Sequence, residues 1–144
     1  MKKILVLILA AILMAIPMCV ESYAADDTNY DDLVAPCYTH ISVIRAILSE
    51  GILGFVTCTS NGVTFKENVT MEVTCCLQRC TEDTVWEDYK TKTETLNESG
   101  TLTIEKNWFA PANYAYRVKT TVKIKSTSGT VLETATLNSN VIYK

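Results

Sequence analysis

The chain has 144 residues, of which 48% are hydrophobic and 20% are charged, and its formal net charge is −3. This length suits one domain with a single core and is too short for two ordinary domains. The acidic balance disfavours nucleic acids and other polyanions as partners.

The N-terminus has the pattern of a secretory signal peptide. Lys2 and Lys3 precede an apolar run over residues 4–16, and small residues, Ser22 and Ala24, lie just before the expected cleavage site. The run is shorter than the roughly 20 residues of a membrane-spanning helix. We therefore expect removal of residues 1–24 and a mature extracellular chain without a membrane span. Cys19 follows Met18 rather than a small residue, which disfavours a lipid anchor.

Residues 25–36 are predicted to form an acidic, mobile arm. Four aspartates fall between residues 26 and 32, and cleavage leaves eleven basic against fifteen acidic residues, a net charge of −4. Such a cluster is typical of a solvated terminus. It lacks the central glycine and closing glutamate of a calcium loop.

Residues 37–144 are predicted to form a β-sandwich domain. Residues 39–48 have apolar side chains at both helical and strand spacings, but β-branched residues dominate, so we expect a strand with a bulge. Glu50 and Gly51 then supply a turn before a returning strand. Two sets of residues in that strand are equally able to face the core: Ile52, Val56 and Cys58, or Leu53, Phe55 and Thr57.

The strongest pattern lies at residues 114–125, where even positions are mostly apolar and odd positions are mostly basic. Period two over twelve residues indicates a strand with one buried face. We interpret its basic face as an ordinary solvated surface rather than a binding surface. Residues 69–75 and 100–104 alternate in the same way, and the threonine- and charge-rich residues 86–96 suit a strand at a sheet edge.

Seven strands are predicted, at about 39–48, 52–60, 69–79, 84–96, 100–108, 113–125 and 131–143. Turn signals separate them, and no long helical pattern intervenes. The predicted fold class is therefore all-β, an antiparallel sandwich of two sheets.

Five short motifs follow one another along this domain: Tyr-Thr-His-Ile-Ser at 38–42, Val-Thr-Cys at 56–58, Leu-Gln-Arg at 77–79 leading to Trp86, Leu-Thr-Ile-Glu-Lys at 102–106, and Tyr-Ala-Tyr-Arg-Val-Lys at 114–119. Their order resembles that of small secreted proteins of Gram-positive bacteria. The resemblance implies a single immunoglobulin-like β-sandwich behind a signal peptide, with no established function and no catalytic residues. The cysteines depart from it, because such proteins more often carry serine or glycine at these positions.

The aromatic residues are predicted to pack in the core. Tyr114 and Tyr116 open the long strand on its buried face, and one of them is expected to donate its hydroxyl to backbone across the preceding turn, as a tyrosine corner does. Trp86 and Trp108 are interpreted as large core residues rather than as the walls of a binding groove.

The sequence supplies little for catalysis. His40 is the single histidine, and no acidic residue lies near it in the sequence, so we interpret it as a surface residue. The pairs at 82–83 and 87–88 each join a glutamate to an aspartate, but they flank a turn and an edge strand, which favours solvated carboxylates over a glycosidase pair. Since phosphate-loop and dinucleotide motifs are also missing, we expect a protein that is not an enzyme and uses no cofactor.

Five cysteines remain after cleavage and are the candidates for disulfide bonds: Cys37, Cys58, Cys75, Cys76 and Cys80. An odd number in a secreted chain leaves at least one thiol unpaired or bonded to another molecule. Strand alternation directs Cys75 to the core and puts Cys76 and Cys80 on the opposite face, roughly 13 Å apart, whereas a disulfide requires Cα atoms within about 7 Å. The remaining candidates are a bond between Cys58 and Cys75, and a bond from Cys37 to Cys80 or Cys76.

Two functions follow from these observations. The first is a secreted, non-catalytic binding or interaction module whose partner is an extracellular protein or a surface ligand. The alternative is a thiol-based metal-binding or redox protein that uses Cys75, Cys76 and Cys80, although these match none of the paired C-x-x-C spacings of structural zinc sites.

Overall fold

Eight β-strands form all the regular structure of residues 38–82 and 84–144, the part of the chain that this computed structural model describes. The strands are β1 (Val43–Glu50), β2 (Phe55–Thr64), β3 (Val69–Glu82), β4 (Val85–Leu96), β5 (Gly100–Phe109), β6 (Ala115–Ser126), β7 (Val131–Asn138) and β8 (Ile142–Tyr143). The predicted signal peptide, the acidic arm, Cys19 and Cys37 lie outside the described residues. Within the described part, no helix is long and apolar enough to cross a membrane.

The strands form two antiparallel sheets. One has three strands in the order β1-β2-β5, and the other has the order β4-β3-β6-β7, with β8 also paired to β6. Because the turns are short, two opposite ends of the molecule can be defined. The hairpin end holds the β1–β2 turn, the β3–β4 turn, the β5–β6 connection and the C-terminus, while the opposite end holds the β2–β3, β4–β5 and β6–β7 connections.

The core lies between the two sheets and follows from the alternation of side chains. In β6 every even residue from Tyr116 to Ile124 is buried, whereas the odd residues are only partly covered. β2 buries its even positions as well, from Val56 to Thr64. Period-two burial in both sheets gives one shared apolar layer, and the predicted sandwich of two antiparallel sheets is confirmed.

Most strand positions were predicted correctly, and two details of the first hairpin were wrong. β1 pairs with β2 in an unbroken register from Val43 to Glu50, so the predicted bulge is absent there. The returning strand begins at Phe55 rather than at Ile52, because a turn occupies residues 51–54. Val56 and Cys58 do face the core, as one of the two predicted sets required, but Ile52 is 82% exposed.

The final predicted strand is interrupted. β7 and β8 lie along the same edge of β6, and Ser139 lies between them. Its backbone N–H donates to the carbonyl of Val118 at 2.8 Å, and its hydroxyl oxygen accepts from the Val118 N–H at 2.8 Å. A serine side chain therefore replaces one backbone carbonyl in the ladder where the strand breaks.

The tyrosine prediction is confirmed at Tyr116. This side chain is fully buried, and its hydroxyl donates to the carbonyl oxygen of Pro111 at 2.8 Å, across the connection between β5 and β6. Burial, together with the neighbouring Tyr89, raises the pKa of the phenol, while nearby Arg79 opposes that rise. Tyr116 therefore stays a neutral donor that ties the connection to the core.

Candidate functional site

A cleft of about 440 Å³ opens at the hairpin end of the molecule. Three strand ends and the C-terminus form its walls, which carry three aromatic side chains beside polar groups. The lining residues are Cys80, Thr81, Trp86, Asn113, Tyr114, Ala115, Tyr143 and Lys144. This volume falls in the usual range for ligand pockets, and the walls combine aromatic side chains with polar groups.

Trp86 was predicted to fill the core, and that prediction is wrong. In the register of β3 with β4, Trp86 lies opposite Cys80, and the guanidinium of Arg117 lies 4.2 Å from the centre of the indole ring. Arg117 belongs to the solvent-facing side of β6, so Trp86 lies on the outer face of its sheet. Trp108 instead packs against the core, as predicted.

A chain of polar contacts holds Arg117 over the indole. The Arg117 Nε–H donates to Oε1 of Gln78 at 2.9 Å, and the Gln78 amide donates to Asp88 at 2.6 Å. Lys119 donates to the same carboxylate at 3.0 Å. Gln78 is only 4% exposed, so its two amide atoms are both used in a nearly dry position.

The electrostatics of Asp88 agree with this arrangement. The hydrogen bond from Gln78 and then that from Lys119 hold the pKa of Asp88 below its ordinary value, although burial opposes them. The carboxylate therefore remains charged at neutral pH. A charged Asp88 fixes Gln78, Gln78 fixes Arg117, and Arg117 fixes one wall of the cleft.

Arg79 reaches the opposite, core-facing side of the same sheet. Its guanidinium lies 5.0 Å from the ring centre of Tyr89 and 5.1 Å from that of Tyr114, within cation–π range. Its Nη2 lies 3.7 Å from the Glu87 carboxylate, and its buried Nε has no hydrogen-bond partner among the described residues. Arg79 thus closes the core below Tyr114, which is itself a cleft residue.

The cysteines do not converge on one site. Cys58 and Cys75 are fully buried between the sheets, as the inward-facing prediction for Cys75 required. Cys76 points the other way but is only 2% exposed, and Thr91 donates a hydrogen bond to its sulfur at 3.4 Å. Cys80 lines the cleft. The opposite orientation of neighbouring Cys75 and Cys76 is therefore confirmed, and Cys76 is covered on the outer face of the sheet.

Burial suppresses thiol chemistry at three of these positions. It raises the pKa of Cys58 to about 12, with a further contribution from Cys75 and Cys76. It also raises the pKa of Cys75 and of Cys76, although hydrogen bonds from Ser60 and Thr91 oppose the rise. All three are thiols in the structure. Within the described part of the chain, no group of three or more histidine, cysteine, aspartate or glutamate side chains could hold a metal ion.

The predicted disulfides remain predictions. Cys58 and Cys75 face the same core from opposite sheets, which is the orientation that a bond between them requires. Cys37 lies outside the described residues, so its pairing with Cys80 or Cys76 stays a prediction, as does a bond to another molecule.

His40 is not the isolated surface residue that the sequence indicated. It is half-buried, and its Nδ1 lies 3.9 Å from Oε2 of Glu133. The same carboxylate accepts three consecutive backbone N–H groups, from Thr39, His40 and Ile41, at 2.8 to 2.9 Å. A partner 93 residues away along the chain gives no local signal, which is why sequence reasoning missed it. His40 lies at the end of the molecule opposite to the cleft.

The predicted carboxylate pairs form no joint catalytic site within the described residues. Glu87 pairs with Arg79 and is 52% exposed, while Asp88 belongs to the network under Trp86. The side chains at 82 and 83 are outside the described part. β4 is an edge strand, as predicted.

Comparison with known proteins identifies no relative: no protein-family model matches the chain, and no curated protein shows significant similarity to it.

Proposed function

We propose that the mature chain is a secreted, non-catalytic binding module with an immunoglobulin-like fold, which holds an extracellular protein or surface ligand in the cleft beside Trp86. The observation that carries the proposal is the cleft itself: three aromatic side chains at the meeting point of three strand ends, with one wall fixed by a polar network. Fixed aromatic walls favour binding, because little side-chain freedom is lost when a ligand arrives.

Two features support the immunoglobulin-like assignment. A sheet of the first, second and fifth strands faces a sheet of the fourth, third, sixth and seventh, so strands that are not consecutive in the chain lie side by side, as in Greek-key sandwiches. The tyrosine near the start of β6 donates to backbone five residues upstream, as tyrosine corners of such domains do.

The non-catalytic assignment rests on the chemistry of the cleft. The single histidine lies at the opposite end of the molecule, beside Glu133, so it is not available as a base for Cys80. The secreted assignment rests on the signal-peptide pattern at residues 1–24 and is compatible with the acidic mature chain.

Site-specific photocrosslinking tests the proposed cleft. A photoreactive phenylalanine analogue at Tyr143, which is 79% exposed in the cleft wall, should trap a partner when the protein is secreted by its native cells. The same analogue at Phe65, which is 78% exposed at the opposite end, is the matched control. We expect adducts from position 143 alone, and fewer of them when Trp86→Ala removes one wall. Equal adducts from both positions, or none from position 143, would contradict the proposal.

A further inference from the structure

The turn between β1 and β2 presents two aliphatic side chains to solvent. Ile52 is 82% exposed and Leu53 is 86% exposed. Glycines flank both sides, at 51 and 54, and the turn belongs to the hairpin end of the molecule. We call residues 52–55 together with Phe109 the hairpin tip.

Leu53 occupies a backbone conformation that suits other residues better. Its φ is +56° and that of Gly54 is +82°, and the N–H of Phe55 donates to the carbonyl of Ile52 at 3.1 Å. Two central residues with positive φ are typical of the tight hairpin turn in which asparagine followed by glycine is favoured. A bulky residue is strained there, and Leu53 gains little packing in return because most of it is exposed. The leucine is therefore best explained by a contact outside the fold.

The turn is held firmly despite this strain. A Cβ at Gly54 would lie 2.9 Å from Cε2 of Phe109, so the turn backbone packs directly on that ring. The Phe109 ring in turn makes an edge contact with Phe55, with ring centres 5.7 Å apart. Phe55 is 43% exposed and Phe109 is 51% exposed, so an aromatic pair lies behind the two aliphatic side chains.

Several backbone polar groups at the tip are hydrogen-bonded within the protein. Besides the bond from Phe55 to Ile52, the N–H of Gly51 donates to the Phe55 carbonyl at 3.0 Å, and the N–H of Ala110 donates to the Gly54 carbonyl at 2.8 Å. Such groups can leave water at low cost, because they do not lose a hydrogen bond when they do so. Glu50, the charged residue at the end of β1, has a cationic neighbour in Lys144 at 3.9 Å.

We propose that the hairpin tip inserts into the surface of a lipid bilayer and holds the binding module against a membrane. A bilayer accepts a convex apolar projection without complementary shape, whereas a protein partner would have to supply a matching cavity. The order of groups also suits a lipid interface: aliphatic side chains at the tip, aromatic rings behind them and a neutralised ion pair behind those. The inference goes beyond the proposed function, since it concerns a second surface and needs no ligand in the cleft.

Co-sedimentation with phosphatidylcholine vesicles, using the full mature protein purified from culture medium, tests this proposal. We expect binding that persists in concentrated salt and does not require phosphatidylglycerol, because the attraction is hydrophobic rather than ionic. Leu53→Asn is the decisive variant: asparagine tolerates the positive φ, so the fold should be at least as stable while vesicle affinity falls by about tenfold or more. Phe65→Asn, which removes an equally exposed apolar side chain at the opposite end, should leave binding unchanged.

Three outcomes would overturn the proposal. The first is no binding of the unmodified protein to either kind of vesicle. The second is equal loss of binding in both variants. The third is a dimer in sedimentation equilibrium that Leu53→Asn dissociates while vesicles bind neither form, which would assign the tip to a second copy of the chain. None of these depends on crosslinking in the cleft, so the two proposals fail separately.

Discussion

At the scale of single residues, the orientation of a side chain decides its chemistry more than its type does. Cys75 and Cys76 are neighbours in sequence, yet one faces the core and the other faces the outer side of the sheet. Glu133 illustrates the same point, because it lies on an edge strand but its carboxylate gathers three backbone donors from the first described residues. The type of a residue limits which interactions its side chain can make, and the fold decides which of those interactions it makes.

Tyr116→Phe should destabilise the protein by about 1 to 2 kcal/mol. The change removes the hydroxyl and leaves the carbonyl of Pro111 without that donor, while the ring keeps its packing. Urea unfolding followed by tryptophan fluorescence measures the effect. Tyr143→Phe, at a residue 79% exposed, is the control and should change the free energy of unfolding very little. Equal effects of the two substitutions would contradict the assigned role of the Tyr116 hydroxyl.

The thiol of Cys58 should resist alkylation in the native protein at pH 8. Its pKa of about 12 leaves almost no thiolate at that pH, and the residue is fully buried. Iodoacetamide labelling followed by peptide mass spectrometry measures this. A denatured, unreduced sample should then become labelled at Cys58 if the thiol is free, and should stay unlabelled until reduction if the predicted bond to Cys75 has formed. Rapid labelling of the native protein would contradict the buried position.

At the scale of elements, a break in strand register decides which residues form the cleft. Leu77 lies opposite Lys90, but the next residue of β3, Gln78, lies opposite Asp88, so Tyr89 is an extra residue in β4. Before this bulge the outward-facing residues of β4 have even numbers, such as Trp86, and after it they have odd numbers, such as Thr91. The size of an aromatic residue predicted a core position for Trp86, but the bulge sets the face of the sheet on which it lies, and residue type does not reveal that.

The close approach of the two sheets depends on Gly62 in β2. A Cβ at this position would lie 2.9 Å from Cγ2 of Val73 and 3.0 Å from Cγ2 of Val122, both in the facing sheet. Gly62→Ala should therefore destabilise the protein by about 1 to 3 kcal/mol through overpacking. Thermal unfolding followed by circular dichroism measures this loss of stability. Gly129→Asn, at a positive φ with no described atom within 4 Å of the added Cβ, is a control that should cost much less.

At the scale of the whole molecule, the two ends differ in character. The hairpin end carries the cleft and the exposed apolar tip, while a wider depression at the opposite end is lined almost entirely by polar residues of the three connections there. Charges on the outer face between the ends form pairs across strands, as in the contacts of Glu72 with Lys123 and Lys125. The predicted solvated character of the basic face of β6 agrees with these pairs.

Stability should fall at acid pH, where carboxylates take up protons, because three carboxylates have a lowered pKa in the folded protein. In Glu72 the hydrogen bond from Lys125 is the main cause, and in Asp88 it is that from Gln78. In Glu133, burial raises the pKa, but the three backbone donors outweigh it. A lowered folded pKa means that the unfolded chain binds more protons, so this stabilisation is present above the ordinary pKa and is lost as pH falls through the folded value.

Denaturant titrations between pH 7 and pH 2 measure this dependence. Glu133→Gln should lower the free energy of unfolding by about 1 to 3 kcal/mol at pH 7 and should flatten its fall on acidification. Glu98→Gln, in the connection between β4 and β5, is a matched control that should do neither. A wild-type protein whose stability rises as the pH falls from 5 to 3 would contradict the assignment.

The fold class and most strand positions could be predicted from the residues alone, because burial on one face of a sheet imposes period two on the chain itself. The alternation at residues 114–125 therefore predicted β6 and its buried tyrosine. The alternation at residues 69–75 predicted much of β3 and the opposite directions of Cys75 and Cys76. Three other features emerged only when the strands were assembled: the bulge at Tyr89 that puts Trp86 on the outer face, the carboxylate of Glu133 at the first described residues, and the strained turn that presents Leu53. Each of these features depends on strand register or on contacts between residues far apart in sequence. A local sequence pattern predicts neither.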